Sequence, residues 1–368
     1  MPSWARTAFA TSTEPALKFS DFLFPESRDA ERDGLVLDET LREARLADEL
    51  GVDALWLAEH HFDGICAYVD PISFAAALAM ATKRCNIGFA VVQTSLHHPI
   101  RLAEQLSLID QLSKGRLIIG LGRGTAYNIY DYQGYGFDHT EAQERFEEAE
   151  AVMLKAWTLE RFEHHGKHFD LQVAGLRPTP YTKPHPFLIR AASGEASMVE
   201  LARQGLPFLM NVQTLEVTRH RMDLYRKTMR EAGHDEAAIA RNIERCWIWR
   251  NVCVADTDAE AERIALPAFH AMQQHRAALR ERIYREQGVR IEVSSPSPLA
   301  PARVDPRHAL ICGSPATVAE AFAEIDKIGV GGVIMQFRLG PMAHEDAARS
   351  LTLFMREVAP QFRGKPGA

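Results

Sequence analysis

The chain has 368 residues, of which 46% are hydrophobic and 25% are charged, and such a composition excludes disorder over most of its length. Its formal net charge of −7 argues against a broad nucleic-acid-binding face. The longest nearly apolar run, residues 71–81, is too short to cross a bilayer, and the five cysteines have neither disulfide-framework nor metal-site spacing. We therefore expect a cytoplasmic protein with no membrane segment and no bound metal.

The predicted elements start after residues 1–16, which lack the apolar core of a signal peptide and are expected to form a flexible tail. From residue 17 to residue 363 we expect one domain. Short apolar runs predict strands over residues 17–24, 53–60, 86–93, 116–122, 187–192, 206–211, 246–255 and 330–337. Helical spacing of apolar residues predicts helices over residues 36–50, 100–113, 195–205 and 316–329.

This alternation of strands and helices predicts an α/β fold. Near-continuous apolar strands are typical of parallel sheets that are covered on both faces, and eight of them predict a (β/α)8 TIM barrel. A doubly wound open sheet would show a similar alternation. Two insertions interrupt the pattern: residues 161–178 are predicted to form a hairpin around Gly166, and the proline-rich residues 287–308 are predicted to form a mobile loop.

The residues at the end of the second predicted strand are candidates for chemistry, because active groups of barrels lie at the carboxyl ends of strands. These residues are Glu59, His60 and His61. Neighbouring side chains of an extended chain point to opposite faces, so one of the two histidines should face the barrel mouth, where it could act as a general base. A hydrogen-bonded histidine at a strand end fits the same pattern.

Two glycine-containing turns are candidate phosphate sites. Residues 120–124 follow the fourth predicted strand, and Arg123 in this turn could bind a phosphate through its guanidinium group. Residues 192–197 open a helix, whose first N–H groups attract anions. A plain turn in the first case, and a simple N-cap by Ser193 in the second, are the open alternatives.

Four stretches of the sequence together resemble one known family. They are GVDALWLAEHHF (51–62), HPIRLAEQLSLIDQLSKGRLIIGLGRG (98–124), RAASGEASMVELARQGLP (190–207) and CGSPATVAEAF (312–322). In this order they resemble the bacterial luciferase-like, flavin-dependent monooxygenases, most closely the luciferase α-subunit type, over residues 18–362. The resemblance implies a (β/α)8 barrel in which reduced FMN and O2 oxygenate an apolar organic substrate through a flavin peroxide. An aldehyde or a ketone is the expected substrate class, and a separate flavin reductase would supply the reduced FMN.

The resemblance also implies roles for residues near the flavin ring. His60 matches the catalytic histidine of the family. Ala90 and Val91 match a position where a non-proline cis peptide lies against the ring. Gly122 stands where luciferase has a reactive cysteine, so thiol sensitivity is not expected at this point.

For the FMN phosphate, the resemblance implies a second group of residues. Arg123 matches the phosphate-binding arginine, and Ser193, Gly194 and Ser197 match the turn that holds the phosphate. Many relatives have a further arginine before the next helix, but this chain has Gln143 at that position and Arg145 two residues later. A weaker phosphate site would suit a flavin that is borrowed in reduced form and released after turnover.

The same resemblance implies a homodimer that pairs through the segments 71–83 and 99–113. Three other functions fit parts of the sequence. A deazaflavin-dependent dehydrogenase would use the same barrel, and a non-catalytic flavin-binding protein would retain the fold without the reaction. A phosphate-handling hydrolase would need a metal or paired carboxylates at the strand ends, where only Glu59 is well placed.

Overall fold

The structure, a computed structural model, describes residues 16–192, 194–291 and 304–363 of the chain. Its strands are β1 (Lys18–Phe22), β2 (Ala54–Leu57), β3 (Asn86–Phe89), β4 (Val92–Gln93), β5 (Leu117–Gly122), β6 (Phe162–His165), β7 (Asp170–Val173), β8 (Phe187–Ala192), β9 (Phe208–Met210), β10 (Trp247–Val254), β11 (Leu310–Gly313) and β12 (Gly332–Gln336).

Parallel strands close into a (β/α)8 barrel, which confirms the predicted fold class. The order around the barrel is β1, β2, β3, β5, β8, β9, β10 and β12, and β12 pairs with β1. This closure excludes the open doubly wound sheet. All eight predicted strand runs coincide with barrel strands, the third run being filled by β3 and β4 together. The short strand β11 adds to the carboxyl-terminal half of β10.

Helices cover the barrel from outside. They are α1 (Asp33–Leu50), α2 (Pro71–Ala81), α3 (Pro99–Ser113), α4 (Ile129–Gly134), α5 (Ala142–Thr158), α6 (Glu195–Gln204), α7 (Leu215–Glu231), α8 (Glu236–Ile243), α9 (Asp258–Gln287), α10 (Pro306–Ala309), α11 (Pro315–Asp326) and α12 (His344–Leu353). Local signals set several ends: Asp70 caps the start of α2, and Gly51 ends α1 in the left-handed conformation. No helix in the described part of the chain is both long enough and apolar enough to cross a membrane.

The two predicted insertions have different outcomes. The hairpin is confirmed, because β6 and β7 pair antiparallel from Phe162 opposite Val173. Of the predicted mobile loop, residues 288–291 and 304–305 form no helix or strand, as expected, whereas Gln287 is the last residue of α9 and Pro306 begins α10. The mobility of the loop stays a prediction. The middle of that loop, residues 292–303, and the predicted tail up to residue 15 lie outside the described residues.

Two tryptophans fill the lower part of the barrel. Trp56 and Trp247 meet edge to face with ring centroids 5.3 Å apart, and the Trp56 indole N–H donates to the Ser20 hydroxyl over 2.9 Å. Both rings are buried, so the barrel is closed at this level and a ligand can enter only above it, at the carboxyl ends of the strands.

The glycines of the 120–124 turn allow close packing between strands. Gly88 pairs with Ile118 and Val92 with Leu121, so the β3–β4 segment holds one extra residue, as in a β-bulge. A Cβ on Gly122 would lie 2.4 Å from Val91 Cγ2. The Val91 side chain therefore fills the space that a side chain at position 122 would need.

We expect Gly122→Ala to lower the free energy of unfolding by about 1–3 kcal/mol, because the added methyl group overpacks against Val91. Val91→Ala removes the clashing Cγ2 methyl group, so the double variant should lose less stability than the two single variants combined. Urea unfolding of the four proteins measures this coupling. Gly34→Ala is the control, since nothing lies within 4 Å of a Cβ at this helix position. Additive losses would show that the Gly122–Val91 contact is not the constraint.

Candidate active site

A cavity of about 460 Å³ opens at the carboxyl ends of the barrel strands. Its apolar walls include Phe22 from β1, Ala90 from the β3–β4 segment and Trp249 from β10. The Phe22 and Trp249 rings contact each other with centroids 4.6 Å apart. This cavity is the concave, mostly apolar space that small-molecule sites require, and it lies where barrel enzymes have their active sites.

His60 lines this cavity, in keeping with the alternation of side chains along the strand end. Its Nδ1 lies 3.1 Å from Asp63 Oδ2, and its ring packs edge to face on Phe24 with centroids 5.2 Å apart. Burial alone would raise the pKa of Asp63, but the contact with His60 and the N–H of Ile65 hold that pKa below its ordinary value. Asp63 is therefore a carboxylate that holds one ring nitrogen of His60.

Glu59 points away from the cavity into a buried polar network. Its Oε1 accepts from His61 Nε2 over 2.9 Å and from His97 Nε2 over 2.8 Å. Its Oε2 accepts from the Gln93 backbone N–H over 2.7 Å. Burial would raise the pKa of Glu59, but the charge of His97 and hydrogen bonds from both histidines lower it to about 2. Glu59 is thus an anchor between strand ends, and it does not supply the carboxylate that a hydrolase would need.

The peptide bond between Ala90 and Val91 is cis, as the resemblance implies. Ala90 lines the cavity, whereas the Val91 side chain lies against Gly122 on the other side of the segment. Gln93 fixes the end of this segment, because its amide donates to the Glu59 carbonyl over 2.9 Å and to Asp131 Oδ2 over 2.6 Å. The segment is therefore held from both sides where it borders the cavity.

The residues expected to bind a phosphate lie at the ends of neighbouring strands, since β5 pairs with β8. Arg123 follows β5 and is exposed, and its carbonyl accepts from the Ser95 and Tyr132 hydroxyls. At the start of α6 the Ser197 hydroxyl donates to the Gly194 carbonyl over 2.9 Å. The structure thus brings Arg123 and the 194–197 turn to one side of the barrel mouth, outside the walls of the cavity that His60 lines. Ser193 lies outside the described residues.

Arg145 lies two residues after Gln143, the position at which many relatives have a phosphate-binding arginine. In this structure its contacts are with other parts of the fold. Its Nε donates to the Ser95 carbonyl over 3.0 Å, and its guanidinium lies 4.0 Å above the centre of the Phe137 ring. Burial lowers the pKa of this side chain.

Sequence reasoning missed the polar side of the cavity, which comes from α9 and β10. Gln273, Arg276 and Arg280 line the cavity from α9. Their spacing of three and four residues places them on one helix face, and this spacing was the available signal. From β10, the Trp249 indole nitrogen and Asn251 Oδ1 are buried and have no hydrogen-bond partner among the described residues.

We expect Glu59→Gln to lower the free energy of unfolding by about 3 kcal/mol, because it leaves two histidines beside an uncharged group. The loss should depend on pH in both directions. Ionised Glu59 stabilises the fold at a pH above its ordinary pKa of 4.5, and this stabilisation is lost as the pH falls towards about 2. Burial would lower the pKa of His97, but its contacts with Glu59 raise that pKa above the ordinary value of 6.5. Protonated His97 therefore stabilises the fold below pH 6.5, and this stabilisation is lost at higher pH.

The measurement is urea unfolding of the wild type and Glu59→Gln between pH 4 and pH 9. The difference between the two proteins should be largest near pH 5–6. Glu200→Gln, which changes an exposed glutamate, is the matched control. A loss that is constant over this pH range would show that the ion pairs of Glu59 do not cause it.

Comparisons with known proteins agree with this geometry. The alkanal monooxygenase alpha chain of Photorhabdus laumondii is 32% identical over 234 residues, which are 62% of this chain and 63% of that protein, so the match spans less than two thirds of this relative. The oxygenating constituent of 3,6-diketocamphane monooxygenase from Pseudomonas putida, solved in complex with FMN, has a TM-score of 0.74 at 21% identity and covers 94% of this chain and 99% of that one. An F420-dependent secondary alcohol dehydrogenase has a TM-score of 0.69 at 17% identity, with 95% and 100% covered.

These two structural likenesses show the fold alone. The family comparison reaches further, because a model described as luciferase-like monooxygenase matches residues 17–331. The chain belongs to the luciferase-like monooxygenase family.

Proposed function

We propose that this protein is the oxygenase component of an FMN-dependent monooxygenase. It would receive reduced FMN from a separate reductase and use O2 to oxygenate an organic substrate. One observation carries the proposal: His60 and Ala90 line one mostly apolar cavity at the barrel mouth. The family and the FMN complex of the diketocamphane monooxygenase constituent support the choice of cofactor.

The residues around the cavity fit FMN. A flavin ring carries both N–H and carbonyl groups, which could satisfy the buried Trp249 indole N–H and Asn251 Oδ1. The apolar walls suit the ring system, and Arg123 with the 194–197 turn offers a cation and a helix N-terminus to the phosphate. Reduced FMN, when bound, supplies the electrons with which O2 is activated.

The chain itself would position the reactants, exclude water and move a proton. Phe22, Phe24 and Trp249 keep water from the middle of the cavity. Asp63 contacts Nδ1 of His60, which leaves Nε2 as the ring nitrogen that exchanges a proton with the bound reactants. Asp63 would act as a positioning residue, because it touches His60 and holds its ring.

Anaerobic titration with reduced FMN, followed by mixing with O2 and a series of aldehydes and ketones, tests the function. We expect reduced FMN to bind and O2 consumption to yield oxygenated product. A deazaflavin-dependent dehydrogenase is the alternative, supported by the fold of the F420-dependent enzyme. Failure to bind reduced FMN, with binding of reduced F420, would establish that alternative. Flavin binding without any turnover would favour a non-catalytic flavin-binding protein.

His60→Ala should retain the affinity for reduced FMN but form product about 10²–10⁴-fold more slowly, because proton transfer loses its positioned group. The measurement is product formed per O2 consumed, with a substrate that the wild type oxygenates. His165→Ala, at an exposed histidine that also contacts an aspartate, is the matched control. Product formation at the wild-type rate in His60→Ala would contradict the role.

We also propose a homodimer that pairs through α2 and α3. These helices expose large apolar side chains: Met80 is 72% exposed and Leu108 is 49% exposed. Two apolar surfaces of this kind are commonly covered in an oligomer. Light scattering at about 10 µM, a concentration at which a nanomolar-to-micromolar dimer is largely associated, should give the mass of a dimer.

The variant Met80→Glu/Leu108→Glu should shift the protein to a monomer, because it places charges in the proposed interface. Leu159→Glu alters a leucine that is 48% exposed and lies outside both helices, so it should leave the dimer intact. A monomeric wild type would refute the proposal.

A further inference from the structure

Two arginines of α9 form a cationic wall in the cavity that His60 lines. Arg276 and Arg280 are one helical turn apart, and both are part of the cavity lining. Gln273 precedes them on the same face of the helix. Three side chains rich in hydrogen-bond donors therefore face the apolar walls formed by Phe24 and Trp249.

Neither guanidinium group has a partner in the described ranges 16–192, 194–291 and 304–363: no ion pair and no hydrogen bond joins Arg276 or Arg280 to another residue there. Arg282, two residues further on, differs from them. It pairs with Glu286 at 3.7 Å and lies 4.2 Å above the Tyr130 ring. Half-buried cations without a counter-charge are unfavourable, and two of them one turn apart also repel each other.

Among the described residues, the two carboxylates nearest the cavity form ion pairs with groups other than Arg276 and Arg280. Asp63 contacts His60 at 3.1 Å, and Glu26 contacts Arg28 at 3.4 Å. Tyr127 lies beside the two arginines, but burial raises its pKa to about 12, so it is an uncharged phenol at neutral pH. This wall of the cavity is therefore positively charged and needs an anion.

We propose that Arg276 and Arg280 bind a carboxylate group of the substrate. The substrate class is then an apolar organic molecule that carries a carboxylate, rather than a wholly apolar one. Two guanidinium groups offer paired N–H donors that match carboxylate oxygens. The proposal rests on the proposed function for the identity of the reaction, but the binding site itself does not depend on turnover.

The phosphate of FMN is the other anion that could occupy this wall, and the lining of the cavity argues against it. Arg276 and Arg280 are part of that lining, whereas Arg123, which is exposed, is not. The helix start at Glu195, with its N-terminal N–H groups, follows β8, which pairs with β5, and it is not part of the lining either. The expected phosphate-binding elements therefore lie outside the cavity wall that Arg276 and Arg280 form.

Binding of matched probes in the presence of FMN tests the proposal. The probes are phenylacetate, 4-phenylbutyrate and decanoate, each compared with its uncharged amide by ligand-observed NMR. We expect the wild type to bind at least one carboxylate about tenfold more tightly than its amide, the size of one or two charge-assisted hydrogen bonds. This preference should weaken with added salt.

The variant Arg276→Gln/Arg280→Gln should lose the preference while keeping its affinity for the amides. Arg285→Gln removes the same charge from an exposed position of the same helix and should keep the preference. The double variant should also be as stable as the wild type or more stable, because it removes a repulsion and breaks no ion pair or hydrogen bond within the described part of the chain. A wild type without carboxylate preference, or a double variant that retains it, would overturn the proposal.

Flavin binding shows whether the arginine pair binds the FMN phosphate or a substrate carboxylate. Affinities for FMN and riboflavin, measured by fluorescence titration, should differ in the wild type and in Arg276→Gln/Arg280→Gln, and should become equal in Arg123→Gln. If the double arginine variant equalises them instead, the pair binds the FMN phosphate and the carboxylate proposal is wrong. If no flavin binds but the carboxylate preference is present, the proposed function fails and the anion site stands.

Discussion

The buried carboxylate of Glu59 is the interaction on which the arrangement of the site depends. It joins the end of β2 to β4 through the Gln93 N–H, and to the segment before α3 through His97. With Glu59 and His61 both held on the outer side of the strand end, His60 between them has to point into the cavity. A carboxylate this deeply buried is stable only with its partners in place, so the polar network and the barrel mouth form together.

The barrel could be predicted because its signals are local. Most barrel strands are buried on both faces, so their own residues carry the apolar run, as ALWL does for β2. The alternation of side chains predicted that one of His60 and His61 faces the barrel mouth, and the family resemblance selected His60. The reason for Gly122 could not be read in this way, since the space at that position is filled by Val91 from another strand. Gly122 thus serves strand packing, and its expected place near the flavin ring stays a prediction.

The polar side of the cavity could not be predicted from local sequence patterns. Arg276 and Arg280 reach the barrel mouth because α9 runs for 30 residues after β10. Their spacing is visible in the sequence, but whether a carboxylate of the described chain pairs with them depends on every element packed around the mouth. The same limit applies to Trp249 and Asn251. Their spacing in the strand shows that the two residues share a face, but only the folded barrel shows that the Trp249 indole nitrogen and Asn251 Oδ1 have no hydrogen-bond partner among the described residues.

The contrast between the arginines of this chain explains what the cavity needs. Guanidinium groups that serve the fold have partners: Arg190 binds Glu150 through two nitrogens, Arg338 binds Glu39, and Arg145 donates to the Ser95 carbonyl. On the cavity face of α9 no such partner is present among the described residues, and the two charges stand one turn apart. Such an arrangement lowers the stability of the protein without its ligand, as preorganised sites commonly do. An anion entering the cavity would remove the repulsion and supply the missing counter-charge, so the feature that weakens the empty fold is the one that would select the molecule to be bound.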